Sequence, residues 1–190
     1  RSSDLNTITD VIWGHPVIVT ETSVKMYLHL RREAQQFVFR AVTKLDQKDI
    51  DHAHGVLYLK DSSEPKIDGM TLDVQQIMKR SIKTIPQTEV YQRFEKFGVH
   101  YGQAFQVTQR VYCGEDEALV ALALPTKLMQ QHGVNTLHPA LLDGALRASY
   151  WCDANLGLDD GSPYIPFALD RLEIFEALPE TCYGYATKVE

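Results

Sequence analysis

The run LHPALLDGALRASYW, residues 137–151, constrains this chain more than any other feature of its sequence. Pro139 suits the first position of a helix, where its missing N–H would have no partner in any case. The positions that follow are apolar or small, except for Asp143 and Arg147. A helix that is apolar nearly all round is normally enclosed by protein. The run therefore predicts a buried helix that carries one carboxylate and one cation.

Asp143 and Arg147 are four residues apart, so they share one face of that helix. In one interpretation they form an ion pair on a solvent-facing stripe, worth about 0.3–0.5 kcal/mol. In the other, the acid points into a pocket, because buried Asp and Arg are rare unless they are paired or functional. The residues alone leave both interpretations open.

Composition excludes few classes of protein. The chain has 190 residues, of which 44% are hydrophobic and 23% charged, as is ordinary for a globular protein. Its net charge of -6 argues against binding to nucleic acid or to an anionic membrane. No run approaches the length of a membrane span and no signal peptide is apparent, so we expect a cytoplasmic location. The three cysteines have neither disulfide-framework nor zinc spacing, and no metal site is expected.

The remaining pattern is one of short strands and short helices. Alternation from Val24 to Leu30, followed by FVFRAV and HGVLYL, predicts an antiparallel meander. The segment KDSSEPKIDG has the composition of a linker. One helix is expected over residues 73–80, and another after Pro86 with Thr88 as its N-cap. A long helix against an antiparallel sheet makes this an α+β protein.

Four segments resemble, in order, those of the dehydratase domains of modular polyketide synthases. The stretch HPALLDGAL resembles the family's HPAxLDxxxQ signature on the central helix of a hotdog fold. The other three are ITDVIWGHPVIV (8–19), GVHYGQAFQ (98–106), which resembles GxxYGPxF, and YIPFALDRLEIFE (164–176), which resembles (V/L)PFAxxxxxxF. The last is most similar to synthases whose acyltransferase is a separate protein.

The resemblance implies a double hotdog, with antiparallel sheets wrapped around a long central helix. Residues 1–60 would be the latter part of the N-terminal hotdog, which would be incomplete. Residues 61–70 would be the linker, and residues 71–190 the C-terminal hotdog with the Asp helix.

The resemblance also assigns roles to residues. Asp143 matches the catalytic Asp, and Arg147 occupies the position that is usually Gln or His. Tyr101 and Gly102 would belong to a turn lining the acyl channel, with Gly102 permitting a close backbone approach. Phe167 would wall the substrate tunnel, although an aromatic residue in a strand more often belongs to the core. These four, Tyr101, Gly102, Arg147 and Phe167, are the candidate substrate-binding residues.

Histidines offer weaker candidates. None of the seven begins the family's HxxxGxxxxP motif, so we expect the catalytic base to be missing from this sequence. His138 more simply starts the helix than acts as a base. His52 and His54 could share a strand face, but no third metal ligand is in sight.

Dehydration of a β-hydroxyacyl thioester needs a base for the α-proton and an acid for the departing hydroxyl. A carboxylate serves as that acid when burial keeps its pKa high. A guanidinium one turn away favours the ionised form. Arg147 is therefore expected to disfavour Asp143 as a proton donor.

By resemblance, the substrate would be carried on the phosphopantetheine arm of an acyl carrier protein, and no cofactor of its own is implied. The domain would be a homodimer beside neighbouring domains of an antibiotic-type synthase. Two other functions stay open at this point. One is a dehydratase-like scaffold that positions or branches the chain without dehydration. The other is a variant that isomerises a double bond or cyclises the chain.

Overall fold

The chain forms two compact units, one of residues 1–67 with 165–175 and one of residues 68–164 with 176–190. The structure is a computed structural model that describes residues 5–46, 48–59, 71–129, 136–152 and 166–189. The linker expected at residues 61–70 lies outside the described residues.

Strands predominate over helices in both units. The strands are β1 (Leu5–Trp13), β2 (Met26–Glu33), β3 (Gln36–Leu45), β4 (Lys48–Leu59), β5 (Lys83–Pro86), β6 (Thr108–Cys113), β7 (Glu117–Ala123), β8 (Ala168–Glu173) and β9 (Thr181–Thr187), and the helices are α1 (Val74–Arg80), α2 (Gln87–Lys96), α3 (Thr126–Met129) and α4 (Pro139–Leu146).

The first unit is an antiparallel sheet of five described strands in the order β2-β3-β4-β1-β8. Its β2-β3-β4 part is the meander that the alternating pattern predicts. Strand β8 corrects the predicted boundary, because residues 71–190 do not form one unit. It pairs with β1 from Thr7↔Glu173 to Ile12↔Ala168, so the chain returns to the first sheet after completing α4.

The described residues of the second unit form an antiparallel sheet of four strands, β5-β6-β7-β9, packed against α2 and α4. Alternate residues of β6 and β7 point into its core, together with one face of each helix. The fully or nearly fully buried members include Ile85, Val90, Phe94, Val111, Val120, Leu141 and Trp151. This sheet and helix arrangement confirms the predicted α+β class.

Helix α4 follows the predicted run with one difference. His138 caps it, with its Nδ1 accepting from the Ala140 N–H at 3.3 Å, and Pro139 is the first helical residue. The predicted helix changes to a 3-10 helix from Arg147 to Trp151 instead of continuing as α-helix. Helix α2 also differs, since it begins at Gln87 after Pro86 and Thr88 is not its cap.

None of the helices in the described part of the chain has the length and hydropathy that a membrane span requires.

Helix α4 lies very close to its sheet at Gly144. A Cβ atom at this position would come within 2.7 Å of Val107 Cγ2 and 2.8 Å of Leu122 Cδ2. From the other direction, a Cβ at Gly184 on β9 would lie 2.8 Å from the Cα of Ala145. The helix and sheet therefore meet through two residues without side chains.

Gly144→Ala is expected to destabilise the protein by about 1–3 kcal/mol, because an added methyl overpacks a closed interface. Gly102→Ala is the matched control, since a Cβ there meets no atom of the described residues within 4 Å. Urea unfolding followed by circular dichroism measures both variants. Equal stability of Gly144→Ala and the wild type would contradict the close approach of α4.

A polar cluster joins α1 to β7 and β9. The side chain of Glu117 is 12% exposed and accepts from both Nε and Nη2 of Arg80. The Tyr185 hydroxyl donates to the same carboxylate at 2.7 Å. The Arg80 hydrogen bonds lower the pKa of Glu117 below its ordinary value.

Because this pKa is lowered by folding, Glu117 contributes stability above the ordinary Glu pKa of about 4.3, and the contribution is lost as pH falls through the folded-state value. Glu117→Gln is therefore expected to lower the urea midpoint at pH 7, with the difference from wild type shrinking in acid. Glu115→Gln, in the same hairpin but exposed, is the control. If Glu117→Gln lowers the urea midpoint by the same amount at pH 7 and in acid, the charge of Glu117 is not the cause of the lost stability.

Candidate active site

Asp143 and Arg147 form an ion pair that is not on an exposed stripe. The Arg147 Nη2 atom lies 3.3 Å from Asp143 Oδ2, and the two side chains are 8% and 39% exposed respectively. The surface interpretation of this pair is therefore wrong for the cation, which is buried. The carboxyl group is half-buried and still accessible.

The Arg147 guanidinium reaches the turn that precedes β6. Its Nη2 donates to the Phe105 carbonyl oxygen at 3.1 Å, and its Cζ lies 4.4 Å from the ring centroid of Tyr101. Its Nε also donates to the Asp143 backbone carbonyl at 3.4 Å. The structure thus brings Asp143, Arg147 and Tyr101 together, as the sequence interpretation requires.

The turn itself is held by hydrogen bonds to its backbone. The side chain of Gln106 donates to the Tyr101 carbonyl at 2.8 Å, and the Tyr91 hydroxyl donates to the Phe105 carbonyl at 3.3 Å. Gly102 precedes the 3-10 helix Gln103–Phe105. A Cβ atom added at Gly102 would meet no atom of the described residues within 4 Å, and an approach of the acyl chain to Gly102 stays a prediction.

Aromatic rings surround the guanidinium and form an apolar wall. The Tyr101 ring meets Phe94 at a centroid distance of 5.1 Å and Tyr91 at 5.8 Å, both edge-on. Phe94 continues the wall to Tyr150 at 5.3 Å and Trp151 at 6.1 Å. Such rings exclude water and strengthen the electrostatic interactions inside the site.

Burial raises the pKa of Asp143 above its ordinary value, although the nearby Arg147 opposes this shift. Arg147 favours the ionised form, as expected, but removal of the carboxylate from water outweighs the attraction of the cation, so the net shift of the pKa is upward. Burial likewise raises the pKa of Tyr101. Asp143 Oδ2 and Arg147 Nη1 are both buried and accept or donate no hydrogen bond within the described residues.

Phe167 belongs to the first unit, whereas the Asp143 cluster belongs to the second. The residue is 70% exposed, and its carbonyl accepts from the Trp13 N–H at 2.9 Å. A tunnel-wall role for Phe167 stays a prediction.

His52 has a structural role. Its Nδ1 donates to the His15 carbonyl and its Nε2 accepts from the Thr43 hydroxyl, each at 2.8 Å. With both ring nitrogens occupied, His52 is not available as a metal ligand. In the part of the chain that the structure describes, no group of three or more His, Cys, Asp or Glu residues could hold a metal ion.

An open groove of about 420 Å³ on the first unit is a weaker candidate site. Its lining residues are His29, Leu30, Arg31, Val38 and Arg40. Its two arginines already have carboxylate partners, Glu33 for Arg31 and Asp51 for Arg40. Their charges are therefore largely satisfied within the sheet.

Sequence reasoning missed Tyr91 and Phe94, which pack on Tyr101 from α2. Both lie on the buried face of that helix, three residues apart. Their spacing predicts a core face, and nothing in it distinguishes a ring that lines a site from one that fills a core.

Comparison with known proteins identifies the family. The model described as "Polyketide synthase dehydratase N-terminal domain" matches residues 70–190, more than half of the chain and the whole of the Asp143 cluster. The chain belongs to the polyketide synthase dehydratase family. The resemblance seen in its four sequence segments is confirmed.

Relatives of this polyketide synthase dehydratase chain are much longer proteins. It is 28% identical over 170 residues to polyketide synthase PksN of Bacillus subtilis, and the aligned region covers 88% of this chain and 3% of PksN. It is 26% identical over 186 residues to PksM of the same organism, covering 94% of this chain and 4% of PksM. The chain therefore spans a small part of these relatives.

Solved structures show the fold. A trans-AT polyketide synthase dehydratase domain from Brevibacillus brevis is similar with a TM-score of 0.81 at 25% identity, covering 93% of this chain and 61% of that one. The dehydratase domain from the CurK module of curacin polyketide synthase has a TM-score of 0.81 at 22% identity, covering 100% of this chain and 66% of that one. The predicted double-hotdog fold class is confirmed.

Asp143 is expected to titrate above the ordinary Asp pKa of about 3.9. Asp51 is the comparison, because its side chain is 41% exposed, close to that of Asp143, and also faces an arginine, but the hydrogen bonds from Arg40 lower its pKa. Carbon-13 NMR of labelled Asp carboxyl groups measures both, with Asp143→Asn assigning the signal. An Asp143 midpoint at or below that of Asp51 would contradict the dominance of burial.

Proposed function

We propose that this chain is part of a dehydratase domain that removes water from a β-hydroxyacyl thioester carried on an acyl carrier protein. The observation that carries the proposal is Asp143, a half-buried carboxyl group whose pKa is raised, on the helix of the family signature. Burial shifts this carboxyl group toward its protonated form, which is the form that the acid of this reaction needs.

The reaction divides into two proton movements. A base removes the α-proton, and the electrons of that C–H bond form the double bond to the β-carbon. The β-carbon–oxygen bond breaks, and Asp143 donates a proton to the departing hydroxyl, which leaves as water. The products are an α,β-unsaturated thioester and water. The base now holds the α-proton, and Asp143 has given its own proton to the departing water.

The base lies outside the Asp143 cluster as described. Two solved structures of the CurK dehydratase support a His and Asp pair, since they are of inactive mutants, one with His changed to Phe and one with Asp changed to Asn. We infer that a histidine of the synthase completes the site.

The surroundings of Asp143 suit an acyl chain. The rings of Tyr101, Phe94 and Tyr91 offer an apolar surface beside the carboxyl group. The substrate would enter on a phosphopantetheine arm, and the domain would act as a homodimer among the other domains of a synthase with a separate acyltransferase. By resemblance, Gly102 would also contact the acyl chain.

A scaffold without dehydration activity is the second candidate. Arg147 favours it, because this cation occupies the position of a neutral or titratable partner of the acid. The carboxyl group of Asp143 opposes the scaffold, since a raised pKa at that position has no evident use without proton transfer.

Asp143→Asn in the intact synthase module is expected to lower dehydration by about 10²–10⁴-fold, because the amide cannot supply the proton. The assay follows the unsaturated product from a β-hydroxyacyl-pantetheine thioester by mass spectrometry. Asp116→Asn is the control, since Asp116 is exposed and its positive φ suits Asn. Product formation by Asp143→Asn at the wild-type rate would overturn the assignment, and a wild-type module without product would favour the scaffold.

A further inference from the structure

Arg147 is buried to a degree that distinguishes it from other paired arginines. Its side chain is 8% exposed, whereas those of Arg31, Arg40, Arg80, Arg93 and Arg171, which also pair with carboxylates, are 22–76% exposed. Burial of a charge is unfavourable unless the charge is paired and hydrogen-bonded. Such a position therefore calls for a role that the buried charge fulfils.

The guanidinium contacts three separate features of the site. It holds Asp143 Oδ2 on α4, donates to the Phe105 carbonyl at the end of the turn, and stacks on the Tyr101 ring at the start of the turn. A planar fork with several donors and a flat face can make these contacts at once. In this site Nη2 alone lies beside both Asp143 Oδ2 and the Phe105 carbonyl, while Cζ lies over the Tyr101 ring.

We propose that Arg147 is the positioning residue of this site, which fixes the Tyr101–Phe105 turn onto the acid helix and holds Asp143 Oδ2, so that the carboxyl group meets the substrate through Oδ1. This inference rests on the proposed dehydration. Arg147 acts through Asp143 and the turn, and is not itself the proton donor.

The burial of the two carboxylate oxygens supports this division of labour. Oδ2 is fully buried, yet the Asp143 side chain as a whole is 39% exposed. The exposed area therefore belongs to the rest of the side chain, and Oδ1 is the oxygen left for a substrate. Orientation of an acid to within a few tenths of an ångström is a large part of catalytic efficiency.

Two titratable side chains of the described residues interact with the Asp143 carboxyl. Arg147 lowers its pKa from the 3-10 helix, and the Asp143 charge in turn raises the pKa of Tyr101 on the turn. Strands β7 and β9 pack against α4 at Gly144 and Ala145 through Leu122 and Gly184, neither of which titrates. A change in the Asp143 pKa on substitution of Arg147 thus reports on this pair.

The first test measures the carboxyl group directly by carbon-13 NMR. Arg147→Gln is expected to raise the Asp143 pKa by about one unit or more, because it removes the opposite charge. Arg147→Lys keeps the charge and is expected to restore the wild-type value. Arg93→Gln is the matched control, since Arg93 also pairs with an acid four residues earlier and lies over an aromatic ring, Trp151.

A wild-type measurement covers the case in which Arg147→Gln does not fold. The Arg147 guanidinium resonances are expected to shift with the same midpoint as the Asp143 carboxyl, and those of Arg93 are not. An Asp143 pKa unchanged in Arg147→Gln, or an Arg147 signal that ignores Asp143, would overturn the proposal.

Turnover by the intact module separates this inference from the proposed function. Arg147→Gln is expected to lower kcat by about 10²-fold through misplacement of the acid, and to move the alkaline limb of the pH profile upward. Arg147→Lys is expected to return the alkaline limb to its wild-type position without restoring the full kcat. An ammonium group cannot stack on the Tyr101 ring while it bridges Asp143 and the Phe105 carbonyl. A wild-type module without product refutes the dehydration alone, whereas an active module with unchanged kcat in Arg147→Gln refutes the role of Arg147 alone.

Discussion

The close contact between α4 and its sheet is the constraint on which the rest of the second unit depends. Gly144 and Gly184 remove the side chains that would hold the two layers apart. The apolar surface of α4 is consequently buried, and the polar residues that this helix carries are drawn toward the interior. The position of Asp143 and Arg147 follows from this packing more than from any attraction between them.

Burial also decides the electrostatics of the site. An arginine beside a carboxyl group normally lowers the pKa of that group, as Arg40 of β3 does through its hydrogen bonds to Asp51 of the neighbouring strand β4. At Asp143 the same kind of pair gives the opposite result, because the loss of water outweighs the attraction. Arg147 moderates an effect whose origin is the packing of the helix. This balance makes a proton donor compatible with an adjacent guanidinium.

The departure from the family pattern at Arg147 thus has a structural counterpart. In place of a small hydrogen-bonding partner for the acid, the site has a buried fork that also holds the Tyr101–Phe105 turn. The aromatic residues of α2 surround this fork and shield it from water. Family membership and an altered acid environment are therefore compatible in one chain.

Local periodicity and short motifs are enough to predict the antiparallel meander, the Asp143 helix, the four-residue spacing to Arg147 and the family. The tertiary structure decided the partner of β8, the open space around Gly102 and the balance of forces at Asp143. Strand pairing and burial depend on segments far apart in the chain, such as β1 with β8 and α2 with the Tyr101 turn. Local spacing can predict that two side chains share a helix face, but the surrounding layers decide whether water reaches them.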